Sequence, residues 1–266
     1  MTQQFWRDPE LPFIEVRLVR DGRKVAHSRH WHETFSVGII TSGRSSYGNG
    51  THVEVVETGA IVVMNPGDVH VCNAVDGSAW SYLMFYFDAE WTGRIQAELR
   101  GGGGSAFCPY ATPALYAPQL AEAGTQLFAE LTDKDSDRLQ REVSVVDFVG
   151  LLDGTLATGA VTVENGSKAK IAANYIDAHF AAPLRLADIC AEANLSGSYL
   201  IRAFKKRYGV APHEYQTNRR IQFAKARLRE RIPLAQIAQE AGFADQAHFQ
   251  RIFKRLTAAT PGQYKG

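Results

Sequence analysis

Three histidines and one cationic, amide-rich stretch are the parts of this chain whose residue types and spacing suit chemistry. His30 and His32 stand two apart in "HSRHWHETF" (27–35), and His70 closes "NPGDVH" after a turn signal. On a strand, residues two apart point to the same side, and three imidazoles can hold zinc or iron. The same residues serve equally as satisfied interior groups, turn caps or polar anchors for a small ligand. The second stretch, "IAQEAGFADQAHFQRIFKRLTAATPGQY" (237–264), sets apolar residues at helical spacing against Gln246, His248, Gln250, Arg251 and Lys254. Such side chains pair with base edges and phosphates in a major groove. No glycine-rich phosphate loop and no nucleophile with a paired base stands out. No catalytic residue, cofactor or metal is therefore assigned, and the chain reads as a non-enzyme.

The elements that must position these groups have two textures. Up to about Asp88, "FSVGIIT", "HVEVVE", "AIVVMN" and "WSYLMFYF" are short β-branched or aromatic runs separated by "SGRSS", "YGNG", "ETG" and "NPGD", which predicts a small all-β barrel or sandwich. Alternation puts Trp80, Tyr82, Met84 and Tyr86 on one face of the last run and Leu83, Phe85 and Phe87 on the other; one face must be ordinary core. "GGGGS" (101–105) reads as a flexible loop. Residues 113–156 turn helical, with Leu139, Val143, Val146 and Val149 as an amphipathic stripe that packs on the barrel or pairs with a twin. A linker is expected at 157–167. The organisation read from these textures is a barrel over 1–112, a helical relay or dimerisation segment over 113–156, the linker, and an all-α domain over 168–266.

With 266 residues and 45% of them hydrophobic, the chain can bury two cores. Its three cysteines are few and scattered, which argues against a disulfide framework and for a reducing cytoplasm. The N-terminus lacks the basic and apolar regions of a signal peptide, and no apolar run is long enough for a bilayer. The net charge of +1 hides a division. From Lys168 onward there are 17 Lys and Arg against 7 Asp and Glu, while the rest holds 12 against 21. A basic last third beside an acidic remainder directs the search for polyanion binding to that third.

That third is a tandem repeat. Leu186, Ile189, Ala193 and Leu195 recur 48 residues later as Leu234, Ile237, Ala241 and Phe243. Ser196, Leu200, Arg202, Phe204, Pro212 and Tyr215 recur 49 later as Asp245, Phe249, Arg251, Phe253, Pro261 and Tyr264. Each copy reads as helix, tight turn, helix. Asn194 or Gly242 supplies a left-handed residue at the turn, and Ser196 or Asp245 an N-cap. The solvent face of the second helix carries Ser198, Ile201, Arg202 and Lys205 in one copy and Gln246, His248, Gln250, Arg251 and Lys254 in the other. This is helix-turn-helix chemistry. The connecting segment 213–230 predicts a rigid helix of roughly 22 Å, suited to setting two such helices near successive major-groove faces, about 34 Å apart.

At these residues the sequence resembles the AraC/XylS type of bacterial transcription regulator, over roughly 168–266. The resemblance implies base contacts at Ser198, Ile201 and Arg202 in the first recognition helix, and at Gln246, Ala247, His248, Gln250 and Arg251 in the second. The HxH pair and later histidine resemble the cupin barrel, whose metal set also needs a glutamate near residue 36 or 37, where Ser36 and Val37 stand. The resemblance therefore favours an effector-binding barrel, with His30, His32, Tyr47, Asn49, His70, Asn73, Trp80 and Tyr82 as candidate contacts. The "HWHETFSVGII…NPGDVHVCN…WSY" texture is similar to regulators that accompany amino-acid exporters, which implies an amino acid or amine as effector. Promoter DNA, RNA polymerase and a second copy of the chain are the implied partners. The competing readings are a metal-dependent cupin enzyme fused to a DNA-binding tail, and an architectural DNA binder whose barrel only dimerises.

Overall fold

The computed structural model describes residues 3–23, 25–159, 168–230 and 232–265. The chain divides into two compact units. The first carries β1 (Gln3–Arg7), β2 (Ile14–Val19), β3 (Phe35–Asn49), β4 (His52–Glu57), β5 (Ala60–Met64), β6 (His70–Ala74), β7 (Trp80–Phe87) and β8 (Ala114–Tyr116), with the helices α1 (Ala89–Leu99), α2 (Pro118–Thr132) and α3 (Arg138–Thr155). The second carries α4 (Lys168–Ala178), α5 (Leu186–Ala193), α6 (Gly197–Tyr208), α7 (Pro212–Leu228), α8 (Leu234–Glu240), α9 (Gln246–Thr257) and α10 (Pro261–Lys265).

All strand pairs in the first unit are antiparallel. The order β1-β2-β7-β3-β5-β8 makes the main sheet, and β4 and β6 join β3 off that path. β3 serves two layers: Phe35–Ile40 lies between β7 and β5, and Arg44–Asn49 between β4 and β6. The register shifts between Ile40 and Ser42, and Gly43 follows with φ of 75°. A β carbon at Gly43 would come within 2.2 Å of the Ala79 carbonyl oxygen, so only glycine lets β3 turn there.

Strand alternation divides the main sheet into two buried faces. Val16, Phe35, Val37, Ile39, Ile61, Leu83, Phe85 and Phe87 share one core with Leu120 and Leu127 of α2 and Val145, Phe148, Val149 and Leu152 of α3. α3 thus packs through a register different from the predicted stripe. Val149 is buried, but Leu139 and Val143 are 71% and 51% exposed, because Phe148 and Leu152 turn a neighbouring face to the sheet. Two further elements depart from the sequence reading. α1 follows β7 directly, started by Asp88, whose Oδ1 accepts from Trp91 N at 2.8 Å. β8 pairs β5 inside the segment expected to be helical. Of the expected linker, residues 160–167 lie outside those described.

In the second unit the repeat is visible as two trihelical turns of the same plan. α6 and α9 each span 12 residues, and each ends on a left-handed residue, Gly209 at φ 69° and Ala258 at φ 52°. The core side chains of both copies are buried: Leu200, Phe204 and Tyr215 in one, Phe249, Phe253 and Tyr264 in the other. α7, the expected connector, has 17 residues and buries Ile221, Ala224 and Leu228. It also ties down the end of α4. Gln216 Nε2 donates to the Phe180 and Ala182 carbonyls at 2.9 and 2.8 Å, and Arg220 Nε to Phe180 at 2.8 Å. Gly242 closes the turn of the second copy at φ 75°, where a β carbon would meet the Ala181 carbonyl oxygen at 2.0 Å.

Two opposite substitutions check this plan. Gly242→Ala should lower unfolding stability by at least about 1–2 kcal/mol, the left-handed penalty alone. Ala258→Gly should raise it by roughly 1 kcal/mol. Chemical denaturation of the full chain measures both, and an unchanged midpoint for Gly242→Ala would contradict the geometry.

Candidate functional site

Two sets of candidate residues need to be followed, one in each unit. In the second unit, α9 begins at Asp245, whose Oδ1 accepts from His248 N at 2.6 Å. α6 begins at Ser196, whose side chain makes no capping hydrogen bond; the expected cap is absent in the first copy. Beyond these starts, Ser198, Arg202, Lys205, Gln246, Ala247, Gln250 and Arg251 are exposed, and Ile201 and His248 are half-buried. His248 and Phe243 meet edge to face, with centroids 5.5 Å apart, so part of the His248 side chain packs on the turn that precedes α9.

The exposed cations are also uncommitted. Among the described residues, Arg202, Lys205, Gln246, Gln250 and Arg251 make no side-chain hydrogen bond or ion pair. Other arginines of this unit are engaged. Arg227 pairs Glu240 at 2.9 Å and Arg219 pairs Asp177 at 3.0 Å, while Arg220 caps carbonyls. The unit therefore engages some of its cations in its own frame and leaves those on one face of α6 and one of α9 without a side-chain partner among the described residues.

In the first unit the effector candidates separate into two groups. Tyr47 and Asn49 are satisfied internally: Tyr47 Oη donates to the Val63 carbonyl at 2.8 Å, and Asn49 Nδ2 reaches Tyr47 Oη, Val63 O and Asp68 Oδ2 at 3.1–3.3 Å. They hold sheet and turn together. Asn73, half-buried, gives its carbonyl to Ser45 Oγ at 2.9 Å. Ser45 also meets Cys72, whose thiol burial pushes up to about 11, so it stays protonated.

His32 and His70 are buried with rings 4.8 Å apart, and the ring edge of Tyr86 stands 5.2 Å from His32. His30, also buried, lies in the segment 27–31, which belongs to the second unit. Three imidazoles are part of a cupin-type ligand set. The carboxylate of that set is missing: Ser36 is buried at its position and bonds Thr34 Oγ1 at 3.1 Å, and Glu33 is exposed. The full metal set of that fold does not fit these residues.

Trp80 and Tyr82 stack at 4.7 Å, on the sheet face opposite the helix-covered core. On that same face stand Glu15 and Arg17, both buried. These two charged residues were not among the sequence candidates. The available signal was "IEVRLV", where two charges alternate with Ile14, Val16 and Leu18 in a strand whose apolar side is fully core.

Comparison with known proteins gives three findings. Residues 14–146 match the model of the AraC-like ligand binding domain, and residues 189–266 that of a helix-turn-helix domain. Among curated relatives, the chain is 25% identical over 93% of its length to the uncharacterized HTH-type transcriptional regulator YbfI of Bacillus subtilis (89% of that protein), and 25% identical over 87% to the arabinose operon regulatory protein of Salmonella typhimurium (83% of that protein). Among solved structures, unsaturated-fatty-acid-bound ToxT of Vibrio cholerae has the same fold, with a TM-score of 0.60 at 15% identity over 95% of this chain and 94% of that one.

The two N-caps should differ in weight. Asp245→Ala should destabilise by about 1 kcal/mol, the usual loss of a cap bond. Ser196→Ala should stay within about 0.5 kcal/mol, as for a surface change without a lost bond. Equal losses in parallel thermal melts would mean that Ser196 does cap α6.

Proposed function

The chain belongs to the AraC family of DNA-binding transcription regulators, and we propose that its recognition surface is the exposed face of α6 and α9 named above. The observation that carries this reading is the pair of uncommitted cationic and amide faces, one on each copy of a repeated helix-turn-helix. In this reading Arg202, Gln246, Gln250 and Arg251 meet base edges, Lys205 meets phosphate, and Ser198, Ala247 and the exposed parts of Ile201 and His248 fit between them. Two copies in one chain let a single molecule read two groove segments.

The first unit is the effector domain of the regulator. We assign it an amino acid or amine as ligand class, and regulation requires that this ligand bind the DNA-competent arrangement differently from the alternative one. RNA polymerase is the protein partner that follows from a regulatory role at a promoter, and the cytoplasm its place of action. Among the described residues no helix is long and apolar enough to cross a membrane. A homodimer is the assembly we propose, supported by the apolar residues that α3 leaves exposed, Leu139, Val143 and Leu151.

Arg251→Ala should lose roughly 1–3 kcal/mol on a DNA site selected from a random pool and relax base choice at one position. Lys205→Ala should weaken all sequences about equally and reduce the salt slope by about 0.9. Fluorescence anisotropy against salt and against single-base variants separates the two; equal loss on every sequence for Arg251→Ala would place it on phosphate. Leu139→Asp with Val143→Asp should convert a dimer to a monomer in sedimentation, and a dimer that survives both changes would move the interface elsewhere.

A further inference from the structure

The sheet face turned away from α2 and α3 carries a buried cation where an apolar residue would be the ordinary choice. β2 and β7 pair with Glu15 opposite Tyr86, Arg17 opposite Met84 and Val19 opposite Tyr82. Alternation sends Glu15, Arg17, Trp80, Tyr82 and Tyr86 to the same side. Arg17 is 3% exposed. Its guanidinium donates to Gln3 Oε1 at 2.8 Å and lies 5.9 Å from the ring centre of Tyr82. Glu15, two residues along the strand, accepts from Arg7 Nε at 2.6 Å, and Arg17 also hydrogen-bonds the side chain of Tyr86. Burial opposes the charge on Arg17, but the hydrogen bond to Tyr86 and the Glu15 carboxylate favour it, and its pKa lies above the ordinary guanidinium value. Arg17 is cationic at every pH the protein meets.

Beside this cation stands a donor with nothing to donate to. Tyr82 is 3% exposed, and its hydroxyl meets no hydrogen-bond partner among the described residues. Burial pushes its pKa upward, so the proton stays on. Buried polar groups are ordinarily satisfied, and one that is not asks for a specific explanation. The indole nitrogen of Trp80 is also without a partner, but it lies against Gly22, where a β carbon would come within 2.3 Å of it. That donor faces backbone and is left out of the recognition set; Trp80 contributes its ring, stacked on Tyr82.

A buried guanidinium, an unmatched hydroxyl donor and an aromatic plate make one chemical demand: a small ligand that presents an anion with acceptor oxygens. We propose that the effector is recognised through a carboxylate held by Arg17 and the hydroxyl of Tyr82. A planar guanidinium takes a carboxylate by two parallel hydrogen bonds, and the low local dielectric strengthens them. An amine offers no acceptor and would set like charge against Arg17. Amino acids therefore satisfy the face, and their decarboxylated amines do not. This inference rests on the reading of the first unit as an effector domain and selects between the two ligand classes given there.

The test uses the full chain and matched pairs: lysine with cadaverine, arginine with agmatine, phenylalanine with phenethylamine, and arabinose as a neutral control. Thermal shift screens them and calorimetry gives Kd. At least one amino acid should raise Tm while its amine does not. Arg17→Gln should raise the Kd of that amino acid tenfold or more, the loss of one charged hydrogen bond. Tyr82→Phe keeps the stacked ring and removes only the hydroxyl; it should raise the same Kd about threefold to tenfold, and it carries the test if Arg17→Gln does not fold. Binding of an amine or arabinose without any amino acid would overturn the carboxylate and leave the effector reading standing. An amino acid bound equally by wild type and both variants would do the same. No shift from any compound would remove the amino-acid-or-amine reading of the effector, and the proposal with it.

Discussion

The position of β7 between β2 and β3 governs what the first unit can do. A central antiparallel strand with both neighbours paired has no freedom of register, because a one-residue slip would exchange its two faces. Leu83, Phe85 and Phe87 are committed to the core shared with α2 and α3. Trp80, Tyr82 and Tyr86 must therefore stand on the other side, beside whatever β2 sends there. β2 obeys the same division, so Ile14, Val16 and Leu18 fix Glu15 and Arg17 by exclusion. The apolar face provides the stability, and the opposite face is thereby free to carry groups that would otherwise weaken a fold.

The second unit meets a comparable constraint with helices. Its helices are short, and α5 and α8 could not persist alone in water. They are held by aromatic side chains from both copies and by polar ties to chain ends, of which Gln216 and Arg220 on the Phe180 and Ala182 carbonyls are the clearest. These ties satisfy carbonyls that a helix terminus leaves exposed. Arginine acts here in two ways. Where it faces the frame it replaces a missing backbone partner; at Arg202 and Arg251 it faces solvent.

Much of this was legible in the sequence, and the exceptions have physical reasons. The repeat was readable because each of its cues is local: a left-handed residue at Asn194 or Gly242, a proline opening α7 and α10, aromatic residues on one stripe. The strands were readable because β-branched runs were separated by glycine and asparagine turns. α1 was missed because "AEWTGRIQAEL" carries a glycine in its interior, and its start depends on the Asp88 cap. The sequence left open whether the α3 stripe packs on the barrel or pairs with a twin, because valines occur on two adjacent faces and only the sheet decides which is buried. Ser196 looked like a cap by type, but a cap is a geometry, and the side chain does not form it. Most instructive is Arg17. A charged residue in a strand is usually read as solvent-facing, and only the discovery that both faces of β2 are covered turns it into a buried cation.

In the proposed reading both units present guanidinium groups to anions, in two different dielectric settings. Arg202 and Arg251 stand in water, where a single ion pair is weak and screened; affinity there must come from many phosphates at once and from base edges that only a duplex supplies. Arg17 is buried on a sheet face, where one anion would interact strongly, but only if its shape also satisfies Tyr82. The exposed set is suited to a long polyanion, and the buried residue to a single small one. The same side chain is made selective for a polymer or for a small molecule by burial alone.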